Sequence, residues 1–177
     1  MKFWVTGLGL AFLYAAHAMR YDFKKCDPNK QFPKTWYTQI FATNSTLLSD
    51  YLDGMSMVAA NLTITKDGNF NVSSTLPTPY GCLKMDMAFT KGKDGMYTCN
   101  SEWGKGVVLD GVTDCKSYCV VTAAHTRDGV MSVYLTLYGI AKIPTRESKQ
   151  IFAKQFAKMG LEEKYLVQFP PEVACAD

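Results

Sequence analysis

Between Lys34 and Val133 the chain alternates apolar and polar positions in short runs rich in β-branched and aromatic residues. Turn-forming residues separate the runs at Asp67-Gly68-Asn69, Pro77 to Gly81, Lys91 to Gly95 and Asp128-Gly129. The pattern predicts about eight antiparallel strands, at roughly 35–42, 54–66, 70–76, 82–90, 95–100, 105–112, 116–125 and 130–139. The run from Met55 to Lys66 is long for a sandwich strand. Long successive strands linked by turns suit an up-and-down barrel, which leaves no sheet edge exposed. An immunoglobulin-like sandwich is the structural competitor.

A change of period follows. Thr145 can cap a helix in which Ile151, Phe152, Gln155, Phe156 and Met159 recur at spacings of three and four, and Gly160 supplies the stop. One apolar stripe means that this helix lies against the sheet, which counts against the sandwich. In the strands before it, Val121 and Ala123 share one face, as do Tyr134 and Tyr138, while Met131, Val133, Leu135 and Leu137 occupy the opposite face of the last strand. Both faces of that strand are apolar, as expected if one lines an interior and the other lies beneath the helix. The expected fold is therefore all-β: an eight-stranded antiparallel up-and-down β-barrel with a C-terminal α-helix packed on its outside. A barrel of this size is either filled by side chains or encloses a cavity. Met85, Met87 and Phe89 form a further single-face set on the fourth strand, open between lining the interior and packing outward.

The ends and the cysteines set the compartment. Residues 1–18 carry Lys2, an apolar centre and the ending Ala16-His17-Ala18, the pattern of a cleaved secretory signal, and the centre is shorter than the ~20 residues that span a bilayer. The expectation is a signal peptide at 1–18, one domain at 19–177, no integral membrane segment and an extracellular, secreted product. All six cysteines, Cys26, Cys82, Cys99, Cys115, Cys119 and Cys175, follow the cleavage point, and an even number in an exported chain is best satisfied by three disulfides. Asn44, Asn61 and Asn71 each open an Asn-x-Ser/Thr triplet and are glycosylation candidates. With 19 Lys and Arg against 16 Asp and Glu the formal net charge is +3. The basic residues are scattered rather than striped, so no nucleic-acid partner is expected.

Reactive constellations are sparse. Past the signal the sole imidazole is His125, read as a rim or surface residue against a general base or haem ligand, so a zinc site of several imidazoles is excluded. No Gly-x-Ser-x-Gly elbow occurs, and the acidic pairs Asp50 with Asp53 and Glu162 with Glu163 fall in loop-like segments as solvated charges. The reading is a non-enzyme with no catalytic residue, no metal site and no cofactor. Trp103 is open between a mouth, core or exposed position.

The chain resembles the lipocalin family. That family's Gly-x-Trp motif near the first strand appears as Lys34-Thr35-Trp36 followed by Tyr37. Its Thr-Asp-Tyr motif appears as Thr113-Asp114-Cys115 with Tyr118 nearby, and its third motif as Leu137-Tyr138-Gly139, with Ile140 where the family has Arg. Order and spacing extend the likeness over almost the whole of 19–177. The resemblance implies that Trp36 closes the narrow end of the barrel; in place of the missing Arg, either Lys142 or Arg146 reaches its indole or the closed end is packed by apolar groups alone. It implies a Cys82–Cys175 disulfide; for the rest, Cys26–Cys119 and Cys99–Cys115 are favoured. It also places Val121, Ala123, Tyr134 and Tyr138 on the ligand-facing wall, joined by Met87 and Phe89. The family's glutathione-dependent prostaglandin synthases carry a reactive Cys on the second strand. Met55 to Lys66 has none, which argues against that activity. The implied function is extracellular transport or sequestration of a small hydrophobic ligand by a monomer or weak homodimer. The alternatives are a modulator or inhibitor whose outer loops bind a protein receptor or target, and a haem carrier.

Overall fold

The computed structural model describes residues 35–46, 55–78, 80–101 and 104–175. The chain runs as β1 (Thr35–Thr43), β2 (Ala59–Ile64), β3 (Phe70–Thr78), β4 (Gly81–Lys91), β5 (Tyr97–Ser101), β6 (Gly104–Thr113), β7 (Tyr118–Arg127), β8 (Val130–Gly139), α1 (Arg146–Met159), a 3-10 turn at Glu163–Tyr165 and β9 (Leu166–Gln168). Each strand from β2 to β8 pairs antiparallel with the next. β8 pairs with β1, and Thr35 to Tyr37 of β1 pair back onto Asn61 to Ala59, so eight strands close into a barrel. β9 occupies the remainder of the same β1 edge, with Ile40, Phe41 and Ala42 opposite Gln168, Val167 and Leu166. The expected signal segment 1–18, Cys26, Asp50, Asp53 and Trp103 lie outside the described residues.

Directly paired residues share a face of the sheet, so the register separates inside from outside. Ile40, Ala42, Val120, Leu135 and Leu137 point outward, where Tyr118 and Phe152 complete a buried cluster with Ile151, Phe156, Met159, Leu161 and Leu166 packed around it. The helix therefore lies over β7, β8 and β1. Thr145 caps it: Oγ1 accepts from the Ser148 backbone N–H at 3.1 Å, and Gly160 ends it in the left-handed conformation at φ 63°. Phe152, only 2 % exposed, is the anchor of this contact.

Two departures from the sequence pattern have identifiable causes. β2 is a six-residue strand, not a run over 54–66; Met57 instead makes an isolated parallel bridge to Val173, and the turn at Lys66 to Gly68 ends the ladder. β1 and β6 each carry a bulge, between Thr38 and Ile40 and between Val108 and Asp110. A bulge inserts one residue and reverses the alternation beyond it. Trp36 and Thr38 thus face inward at even numbers, while Phe41 and Thr43 face inward at odd ones. The bulged Gln39 packs on Gly139, where an added Cβ would fall 2.3 Å from its Nε2, and it donates to the Ala141 carbonyl at 2.6 Å.

Candidate ligand-binding site

The inward face of β7 toward the mouth is less tightly packed than its outward face. On β7 the outward Val120, Thr122 and Ala124 are buried, at 1 %, 5 % and 2 % exposure, whereas the inward Val121, Ala123 and His125 are only half-buried although strands surround them. These three inward side chains border space, whereas Val108, Cys119, Ser132 and Thr136 on the same inner surface are buried. β4 agrees: Met85, Met87 and Phe89 face inward and are half-buried, while Lys84, Asp86 and Ala88 are exposed outward.

At the end of the barrel bearing the turns 65–69, 92–96 and 114–117, the interior has an aromatic floor. Phe70 stacks on Phe89 with centroids 4.6 Å apart and meets Tyr97 at 4.8 Å, and the Tyr97 hydroxyl donates to the Gly68 carbonyl at 3.0 Å. Trp36, 4 % exposed, lies at the start of β1 at this same end. Lys142 stands over Tyr37, its Nζ 5.8 Å from the ring centroid, and Ile140, in place of the family's Arg, is 43 % exposed. Tyr138 pairs with Cys119; burial of its hydroxyl pushes the pKa up, opposed by a hydrogen bond with Thr136. Asp114 organises the turn outside the floor. Its carboxylate accepts from the backbone N–H groups of Lys116, Ser117 and Tyr118 and from the Ser117 hydroxyl. Partial burial acts to raise the Asp114 pKa, but these hydrogen bonds outweigh it and hold it at about 2.

Higher in the barrel the wall becomes more polar. Tyr134 pairs with Ala123, lies 5.9 Å from Phe41 and takes His125 edge-on at 6.4 Å. Ser132 pairs with His125, and Thr136 with Val121. Two glycines on β6 make room. A Cβ on Gly104 would lie 3.0 Å from His125 Cε1, and one on Gly106 would lie 2.7 Å from Cys99 Sγ. The open end carries exposed apolar side chains: Tyr80, Leu83, Val130 and Met131.

All six sequence-assigned wall residues, Val121, Ala123, Tyr134, Tyr138, Met87 and Phe89, thus face one interior, and the Met85–Met87–Phe89 set is inward. His125 is an inward wall residue at the rim of the mouth, in line with the rim position expected from sequence. The alternation that marked Ala123 extends to it at the same phase. Phe41, Phe70 and Tyr97 escaped the sequence reading: Phe41 lies past a bulge, and the other two sit at strand starts beside turns.

The disulfide pattern needs correction. Cys82–Cys175 is present, tying β4 to the tail. Cys99 and Cys119 are free and buried, and Cys115 is disulfide-bonded to a partner outside the described residues. Cys99–Cys115 and Cys26–Cys119 are therefore not the pairs. Cys99 is level with Gly106, and β6 runs on to Thr113 before Cys115, a distance of roughly 20 Å at about 3.3 Å per residue, against a limit near 7 Å between bridged Cα atoms. Burial raises the Cys99 pKa and pushes that of Cys119 up to about 12, so both stay protonated thiols rather than nucleophilic thiolates at neutral pH. Among the described residues no group of three His, Cys, Asp or Glu side chains is placed to hold a metal ion.

No family model matches the chain. It is 26% identical over 175 residues to the extracellular fatty acid-binding protein of Coturnix japonica, covering 99% of this chain and 97% of that protein. It is also 26% identical over 151 residues to the prostaglandin-H2 D-isomerase of Ovis aries, covering 83% and 79%. The solved structure of the siderocalin Ex-FABP superposes with a TM-score of 0.73 at 26% identity, over 84% of this chain and 95% of that one. The chain has the lipocalin fold and is similar to lipocalins over most of its length. The three lipocalin-like motifs converge on the closed end: Trp36 under the floor, Asp114 within the turn, and Gly139 against the bulged Gln39. General small-ligand binding is the activity that its relatives support.

Proposed function

We propose that this chain is an extracellular carrier or scavenger that encloses one single-chain amphiphile, such as a fatty acid, by reversible burial without bond chemistry. The observation that carries this reading is the polarity gradient along the barrel interior. Met87, Phe89 and Phe70 offer apolar wall toward the floor, and His125, Tyr134 and Ser132 offer polar groups toward the mouth. A chain buried tail-first would leave its head group beside the imidazole and the phenol. The relative that binds fatty acids by name supports the same ligand class. The driving force is apolar area removed from water, about 25 cal/mol per Å² before the costs of association.

Displacement of a fluorescent fatty acid by a homologous series of carboxylates and alcohols tests it. Each added methylene gains up to ~0.8 kcal/mol, about fourfold in affinity, until the chain fills the barrel. His125→Leu weakens carboxylates more than alcohols of equal length. Affinity independent of chain length sinks the proposal. The exposed Tyr80, Leu83, Val130 and Met131 at the mouth favour one second reading, a protein partner engaged there. An empty barrel that ignores the whole ligand series would select it.

A further inference from the structure

The outer face of β2 and β3 brings two glycosylation triplets together as a single tile. Asn61 pairs with Ser73, and Thr63 pairs with Asn71, so each asparagine faces the hydroxyl residue of the other's triplet. All four side chains point away from the barrel interior, because their neighbours Ala60, Leu62 and Val72 share the inward face with Trp36 and Met87. As diagonal neighbours, the two asparagines stand roughly 7–8 Å apart. Both are exposed. The Asn61 side-chain oxygen accepts from the Thr35 hydroxyl at 2.8 Å, a bond in which the amide nitrogen, the atom that carries a sugar, takes no part. Beside the tile a shallow groove of ≈ 330 Å³ continues along Asn61, Thr63, Asn71 and Ser73 to Asp86 and Ala88. The helix lies over β7, β8 and β1, so it leaves this face bare.

We propose that this tile is a paired modification site: Asn61 and Asn71 each carry an N-linked glycan, and the two lie side by side along the groove. The inference rests on the extracellular reading above, since the modification requires passage through the secretory pathway. Both triplets lie in paired strands rather than loops, so transfer precedes closure of the β2–β3 ladder. The consequence is a sugar-covered wall on β2–β4 that leaves the mouth and the helix face as the protein surfaces open to a partner. Asn44 belongs to a different surface, where its side-chain oxygen accepts from the Val133 N–H at 2.7 Å between β1 and β8.

The full chain is expressed in a eukaryotic secretory host, and the secreted product is deglycosylated enzymatically in heavy-oxygen water and mapped by peptide mass spectrometry. The expected result is the Asn-to-Asp isotope tag at both Asn61 and Asn71, with loss of one glycan from the intact mass in each of N61Q and N71Q. Thr63→Ala and Ser73→Ala should remove the same glycans with the asparagines intact, covering the case in which a glutamine variant fails to fold. A secreted product bare at either position overturns the paired site and leaves the carrier reading standing. A chain retained in the cell overturns the extracellular reading, and this inference with it.

Discussion

Replacing both Cys82 and Cys175 by Ser should destabilise the barrel by an amount that the chain separation sets. The bridge spans 93 residues, and closing a loop of that length removes about 4.6 kcal/mol of chain entropy from the unfolded state. The folded variant can recover part of that loss by releasing the end of the tail. It cannot release much, because Phe169 is 4 % exposed, Val173 bridges to Met57, and β9 is hydrogen-bonded to β1. A net loss of about 2–4.6 kcal/mol follows, which for a domain of this size is a fall in Tm of roughly 5–15 °C. The double substitution is needed because a lone thiol left at Cys82 could attack the disulfide at Cys115 and displace its thiolate. The assay is differential scanning calorimetry of both proteins, with the intact bridge in the parent checked by non-reducing peptide mapping. A fall of under about 2 °C with an intact parental bridge would refute the reasoning, because it would mean that the bridge does not restrict the unfolded chain.

Other outcomes follow from the same geometry. Unfolded under non-reducing conditions, the protein produced in a secretory host should titrate two thiols with a disulfide reagent, and the native protein should react far more slowly; no thiols would mean three disulfides and refute the free Cys99 and Cys119. The low folded pKa of Asp114 makes its stabilisation complete above the ordinary carboxylate range and lost as pH falls from about 4 to about 2. Denaturant midpoints of the parent should therefore fall across that window more steeply than those of Asp114→Asn, and equal slopes would remove Asp114 from the account. Phe152→Ala empties the anchor position of the helix and should cost about 3–5 kcal/mol in urea unfolding, and a loss under about 1 kcal/mol would contradict the packing of α1 on β7 and β8.

The barrel was legible because period-two alternation and turn chemistry are local signals, and because one strand, β8, was apolar on both faces. That double-sided pattern requires a covered exterior and a lined interior together, and the capped helix after it supplied the cover. The wall residues on β4, β7 and β8 were legible for the same reason: those strands carry no bulge in the relevant stretch, so counting by two holds from Val121 to His125 and from Tyr134 to Tyr138. β1 was not, since the bulge at Gln39 reverses the count and hid Phe41 from any reading begun at Trp36. The length of β2 was overread because apolar residues from Met55 onward continue the pattern, although only Ala59 to Ile64 have strands to pair with. Disulfide pairing is a property of distance between strand ends, which spacing along the chain does not encode. Cys99 and Cys119 look like bridging cysteines in sequence and prove to be inward-facing thiols near opposite ends of the barrel.

The central claim is that inward and outward positions of the same wall differ in their access to a ligand. Ala123 on β7 faces the interior and Ala88 on β4 faces solvent, so one chemical change, Ala→Phe, can be placed on either side. Titrating a long-chain fatty acid into the parent, Ala123→Phe and Ala88→Phe by fluorescence displacement is the most direct measurement. The account predicts at least a tenfold loss of affinity for Ala123→Phe and parental affinity for Ala88→Phe, with both variants folded by circular dichroism. Equal affinity in all three proteins would place the ligand outside the barrel and contradict the account.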